Sequence, residues 1–236
     1  MKTLKRFSQL FTGSSCPVLS ELDDGQVCVL KLKGSGNGIT SLASEFLVNR
    51  TCALLGWQVP DVFPVMIPEG FPWKFGTDEF DDLVQKSPGV NLGIRYVSDA
   101  VSVPGAEWWE LNPSFLKQMA VVDSLFQNHD RSEKNLNVLR DQAGTCWLID
   151  HGSCVFLDHP SGIGRFSLTP RHIMKAKEDE YLSRAHLLAP EIHQAIEMAV
   201  KDFPEAWLPE LKITRAEMLT ILLDRLTSWT TVKSAR

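Results

Sequence analysis

Two acids held one hairpin's length apart constrain this sequence more than any other feature. The stretch FQNHDRSEKNLNVLR, residues 126–140, carries Asp130 and Asn135 in the spacing Asp-x4-Asn, followed by a strand-like LNVL. A turn, DQAG, and a second apolar run, CWLIDHGSCVF, then deliver Asp150 onto a His-Gly turn. The pattern predicts two short strands over about 135–140 and 145–150. Ahead of it, Asn112 is a good N-cap with Pro113 at the first helical position. A helix should follow, with Leu116, Met119, Ala120 and Leu125 on one side. Asp-x4-Asn alone arises by chance in many sequences. A helix, Asp-x4-Asn, a hairpin and then apolar-Asp-x-Gly is far more specific.

The chain before this block reads as β-rich with one prominent helix. Residues 17–33, PVLSELDDGQVCVLKLK, predict a hairpin turning at Asp24-Gly25. GSGNG must be loop, and a helix should run from about Thr40 to Leu55, stopped by Gly56. VPDVFPVMIP suggests a strand pair broken by prolines, residues 66–90 loop with little regular structure, and NLGIRYV (91–97) a strand. SDAVSVPGAEWW reads as a linker. Beyond the second acid the chain looks helical. Thr214 and Glu217 form a capping box, with Ile213 and Met218 as its hydrophobic staple. Leu219, Leu222, Leu223, Leu226 and Trp229 line an apolar face of the helix they start. Ala189-Pro190-Glu191 reads as a helix start. The expected fold is α+β in two lobes, about 1–98 and about 99–236, with a ligand site between them.

The totals narrow the classes. A length of 236 residues, 44% hydrophobic and 22% charged, is ordinary globular material. A net charge of −5 disfavours a general nucleic-acid binder, so no direct nucleic-acid contact is expected. The five cysteines show no CxxC pair and the six histidines no i,i+4 pair, so a zinc site is not expected. Reduced thiols, the lack of a secretion-type leader and the lack of a membrane-length apolar run lead us to expect a cytoplasmic protein with no membrane contact.

Phosphoryl transfer needs a carboxylate to orient the attacking hydroxyl, an amide oxygen and a second carboxylate for Mg²⁺, and a lysine fixed by an acid to neutralise phosphate. Asp130, Asn135 and Asp150 match the first three. Lys31, inside the apolar strand CVLKLK, and Glu45, on the helix after the Gly-rich loop, match the last two. Lys33 competes with Lys31, since the two share strand parity. Two loops compete for the phosphates: TGSSCP, with Gly13, Ser14 and Ser15, and KGSGNGITS, which opens a helix whose N-terminus favours anions. Arg131 is expected to anchor its loop through Asp123. His129 and His151 are expected to shape loops, because Mg²⁺ rarely takes imidazole. Trp108 and Trp109 are read as core or lobe contacts, and KEDE, 177–180, as a solvated helix face.

PVLSELDDGQVCVLKLKG, SLASEFLVNRTCALLGWQVPD, LFQNHDRSEKNLNVL and WLIDHGSC together resemble the HipA-like kinase family, in particular compact bacterial members that are little more than a kinase core. The resemblance spans residues 17 to about 154. It implies an atypical Ser/Thr-kinase-like fold, with ATP and Mg²⁺ in the cleft and a toxin–antitoxin connection. Lys31, Glu45, Asp130, Asn135 and Asp150 take the roles above. It favours Gly13, Ser14 and Ser15 for the phosphates. Adenine is expected to meet the interlobe strand near Tyr96 and Val97 through backbone groups. His151 departs from the resemblance by replacing the Phe of a DFG triplet. The chain also has no room for the N-terminal subdomain of the full-length toxin kinases, which a small partner protein would replace. The expected acceptor is a protein. The alternatives are a small-molecule kinase and a nucleotide-binding module without turnover.

Overall fold

A computed structural model describes residues 1–11, 15–36, 38–73, 77–154, 157 and 166–234. Five strands close a small barrel in the order β1-β2-β3-β5-β4. They are β1 (Lys2–Leu10), β2 (Val18–Leu22), β3 (Val27–Lys31), β4 (Val62–Ile67) and β5 (Gly89–Arg95). The hairpin from β2 to β3 turns at Asp24-Gly25, with Gly25 at φ 81°. Leu4, Phe7, Val18, Leu22, Leu30, Val65 and Ile67 form the buried cluster of the barrel.

Three parts of this half differ from the sequence expectation. β1 was not foreseen, because Leu4 and Phe7 lack period-two spacing. Its ladder with β2 shifts register between Leu4 and Arg6 and again between Phe7 and Gln9, and those bulges bury both side chains. VPDVFPVMIP forms a single strand, β4, rather than a pair. Pro64 is tolerated inside it because the pairing with β1 begins only at Val65. The stretch 66–90 holds a helix, α2 (Asp78–Gln85), with Thr77 as N-cap and Asp78, Glu79 and Asp81 in its first turn. Only Phe80 and Val84 of α2 are buried, and both join the barrel cluster.

Helix α1 (Ile39–Leu54) connects the barrel to the rest. Every residue from Leu42 to Asn49 is buried, so it is packed on all sides and not along one stripe. It packs on α5 (Ala189–Asp202) and shares one large core with α3 (Pro113–Leu125), the short α4 (Glu178–Leu182) and α6 (Leu208–Leu211), and α7 (Arg215–Ser234). Phe46 stands edge-on to Phe203 and Trp207, with centroids 5.7 and 6.0 Å away. Trp207 Nε1 donates to the carbonyl of Val90 in β5 at 2.9 Å, tying the helical half to the barrel.

The linker is partly ordered structure: β6 (Val101–Ser102) pairs with β7 (Val138–Arg140), which pairs with β8 (Cys146–Leu148). Asn112 caps α3 by accepting from Ser114 N at 2.8 Å. The Thr214–Glu217 box caps α7, with Thr214 N to Glu217 at 2.8 Å and Glu217 N to Thr214 Oγ1 at 3.2 Å. The buried face of α7 is Met218, Leu222, Arg225, Leu226, Trp229 and Lys233, whereas Leu219 and Leu223 are only half-buried. Burial lowers the pKa of Arg225 to about 10, and its Nε donates to the carbonyl of Leu125 at the C-terminal end of α3. No helix among the described residues is long and apolar enough to cross a membrane.

Replacing Trp207 by Phe keeps most of the aromatic packing and orphans the Val90 carbonyl. Trp207→Phe should cost about 1–3 kcal/mol. In a urea titration the midpoint should fall with an unchanged slope.

Candidate functional site

Lys31 ends β3, and its ammonium lies between two carboxylates, 2.8 Å from Glu45 Oε2 and 2.7 Å from Asp150 Oδ1. Lys33 is elsewhere. The chain leaves the strand after Lys31, strand parity lapses, and Lys33 Nζ pairs with Glu210 at 2.9 Å. Burial works against the charge of Lys31, but Glu45 and Asp150 overcome it and hold its pKa above the usual lysine value. Asp150 also resists charge through burial, yet the Lys31 ammonium draws its pKa below the usual carboxylate range.

One face of α1 reads the Asp150 turn at intervals of four residues. Ser41 Oγ donates to the carbonyl of Gly152 at 3.1 Å, Glu45 meets Asp150 through Lys31, and Asn49 Oδ1 lies 2.7 Å from His151 Nδ1. The approach is tight: a Cβ on Gly152 would stand 2.5 Å from Ser41 Oγ and 3.3 Å from Glu45 Oε2, so the Ser41 hydroxyl would have to move from its present place. Asp150 itself sits at φ 61°, a left-handed conformation that few side chains tolerate.

The loop after α3 closes on itself. Ser132 and Asn135 exchange backbone hydrogen bonds of 3.0 and 3.1 Å. Asn135 Nδ2 donates to Asp130 Oδ2 at 2.9 Å, which leaves Asn135 Oδ1 as an oxygen donor. Arg131 turns inward and is 1% exposed. Its Nε and Nη2 donate to Asp123, and its Nη1 donates to the carbonyls of Leu136 and Asn137 at 2.6 and 3.0 Å. Asp123 also accepts from Asn128 Nδ2 at 3.1 Å and His172 Nε2 at 2.8 Å. Burial opposes its charge, but Arg131 and His172 hold its carboxyl well below the usual range. Gly105 supports the loop from outside, where any Cβ would collide with the Glu133 carbonyl.

The remaining expectations divide. Tyr96 is exposed and Val97 half-buried just past β5. Ser15 is half-buried, while Gly13 and Ser14 lie outside the described residues. His129 is exposed and His151 fully buried. Trp108 is half-buried and edge-on to Tyr181, but Trp109 is 66% exposed and is no core contact. In KEDE, Lys177, Asp179 and Glu180 are exposed as a solvated face would be, and only Glu178 departs from that expectation. Glu178 is buried against Lys175, Ser167 and Lys233 because the end of α7 covers it. Cys28, Cys52 and Cys154 are buried, Cys16 and Cys146 half-buried, and all are free. Three members of the site escaped sequence reasoning. Ser41 and Asn49 flank Glu45 at a spacing of four that signals a common helix face. His172 carries no local signal.

Burial and the neighbouring Arg131 lower the pKa of His151 from 6.5 to about 3. A histidine held neutral in the fold but free to protonate when unfolded adds stability above 6.5 that drains away as pH falls toward about 3. Asp123 joins that loss only below its unfolded value, about 3.9. His151→Gln should therefore show a shallower loss of stability between pH 6.5 and 4, by up to about 1.4 kcal/mol per pH unit. Denaturant midpoints for both proteins across that range check it.

The structure of a Helicobacter pylori proinflammatory kinase, CtkA, matches with a TM-score of 0.64 at 15% identity, covering 98% of this chain and 95% of that one. The Golgi casein kinase matches with a TM-score of 0.57 at 10% identity, covering 99% of this chain and 73% of that one. With Mn/ADP bound, it matches at 0.55 and 12%, covering 99% and 72%. These likenesses establish a two-lobed protein-kinase-like fold. No sequence among curated proteins matches the chain. The HipA-like kinase family model matches residues 3–229. The chain is thus a kinase belonging to the HipA-like kinase family.

Proposed function

We propose that this kinase transfers the γ-phosphate of ATP, with Mg²⁺, to a serine or threonine hydroxyl of a protein. The observation that carries this is Lys31, buried between Glu45 and Asp150 at 2.8 and 2.7 Å. A lysine so placed is fixed by one acid and adjoins a second that can hold metal, the arrangement phosphoryl transfer needs. In this reading Glu45 orients Lys31, Lys31 neutralises nucleotide phosphate, and Asp130 orients the acceptor hydroxyl and takes its proton. Ser15, with Gly13 and Ser14, would cover the phosphates, and backbone at Tyr96 and Val97 would meet adenine.

The donor set suits the metal. Asp150 has a partly exposed carboxylate, and Asn135 spends its amide NH₂ on Asp130 while keeping its oxygen. One carboxylate and one amide oxygen fit Mg²⁺, which takes one or two protein carboxylates and completes its shell with phosphate and water. When bound, the ion would neutralise phosphate charge. The link to toxin–antitoxin systems and a small protein partner belong to this reading through family resemblance.

Asp130→Asn retains size and hydrogen bonding but cannot accept a proton. ATP affinity should stay within a few fold while phosphate transfer falls by roughly 10²–10⁴. Asn135→Ala should weaken metal–nucleotide binding as well as turnover. Labelled transfer to a protein acceptor, or ATP hydrolysis without one, measures both. Wild-type transfer by Asp130→Asn would sink the assignment of the loop.

A further inference from the structure

Behind the charged contacts of the cleft runs a second connection, buried and nearly uncharged along half its length. It starts on α1 at Asn49, one turn beyond Glu45. Asn49 Oδ1 faces His151 Nδ1 at 2.7 Å, and His151 Nε2 faces Arg131 Nη2 at 3.5 Å, the longest link. Arg131 binds Asp123 through two nitrogens, and Asp123 Oδ2 meets His172 Nε2 at 2.8 Å. All five side chains are at most 3% exposed.

The chemistry of each link sets its direction. A guanidinium can only donate, so His151 Nε2 accepts and its Nδ1–H donates to Asn49. His172 Nδ1 accepts from Met174 N at 3.1 Å, so its Nε2–H donates to Asp123. The directions are consistent from end to end, with each imidazole nitrogen facing a group of complementary type. The connection runs beside Glu45, Asp150, Asp130 and Asn135 without belonging to the proposed machinery. Asn49 shares a helix face with Glu45, and His151 adjoins Asp150. Arg131 adjoins Asp130 and pins the carbonyls of Leu136 and Asn137 just beyond Asn135. Asn128, held by Asp123, receives the backbone N–H of Asp130 at 3.1 Å.

We infer that Asn49 and His172 are positioning residues for phosphoryl transfer, acting as the two ends of a buried hydrogen-bonded relay, Asn49–His151–Arg131–Asp123–His172, that sets the Asp130 loop against the Asp150 turn and α1. The inference rests on the proposed roles of Asp130 and Asp150. The relay's function is distance: misplacing reacting groups by about 1 Å can cost about a hundredfold in rate with little effect on substrate binding.

A double-mutant cycle on kcat tests it, using Asn49→Leu, His172→Phe and their combination in the full chain. Residues more than about 7–10 Å apart without shared partners ordinarily act additively. Neither end shares a partner with the other, so independent structural roles predict that the two losses multiply. The relay predicts that each single change lowers kcat about tenfold with KM for ATP within about threefold, and that the double variant is scarcely slower than the worse single one. His172→Gln, whose amide can still donate to Asp123, should recover most of the rate. Should Asn49→Leu fail to fold, Asn49→Ser, too short to reach His151, replaces it. Multiplying losses, or losses that track the thermal midpoint and are not recovered by His172→Gln, would overturn the relay. If those results came with Asp130→Asn inactive, the proposed function would stand without it; an active Asp130→Asn would remove both.

Discussion

The buried carboxylate of Asp123 is the interaction on which the rest of the site depends. An isolated charge there would be prohibitively costly, and removing one partner of such a group typically costs about 3–5 kcal/mol. Asp123 is tolerated because Arg131, His172 and Asn128 converge on it. Those three residues come from both sides of Asp130 and from the chain that returns after the second acid. Satisfying one buried charge therefore fixes the relative positions of three segments. Arg131, which looks like a candidate phosphate ligand from its place beside Asp130, is wholly committed to this internal task.

Helix α1 is the second constraint. Its outer side packs against Phe203, Trp207 and α5, and its inner side meets the Asp150 turn through Ser41, Glu45 and Asn49. The lysine–glutamate pair is thus held from behind by the helical half as well as by the barrel. His151, which by the family resemblance takes the place of the Phe of a DFG triplet, joins the turn to α1 by a hydrogen bond. Both nitrogens of His151 face a group of complementary type, whereas the amide nitrogen of Asn49 finds no hydrogen-bond partner among the described residues.

How much of this was legible depends on whether the information was local. The order helix, Asp-x4-Asn, hairpin, Asp-x-Gly is local, so Asp130, Asn135 and Asp150 could be singled out directly. Lys31 and Glu45 needed one strand and one helix to be read correctly, and both have strong signals. Parity could not separate Lys31 from Lys33; the end of β3 did. β1 was hidden because two bulges break its alternation, and α2 because only two of its residues face a core. His172 was invisible for a deeper reason. Its partner Asp123 lies on α3, and nothing near His172 in sequence refers to it. The same holds for Glu178, whose solvent-like context conceals burial by the far end of α7.

In the proposed function Lys31, Asp150 and Asn135 together receive a metal–nucleotide complex. Calorimetric titration of ATP into wild-type protein and Asp150→Asn, each with and without Mg²⁺, tests it most directly. Wild type should bind ATP more tightly with Mg²⁺ than without, and Asp150→Asn should lose most of that difference while remaining folded. An identical Mg²⁺ dependence in the two proteins would contradict the account.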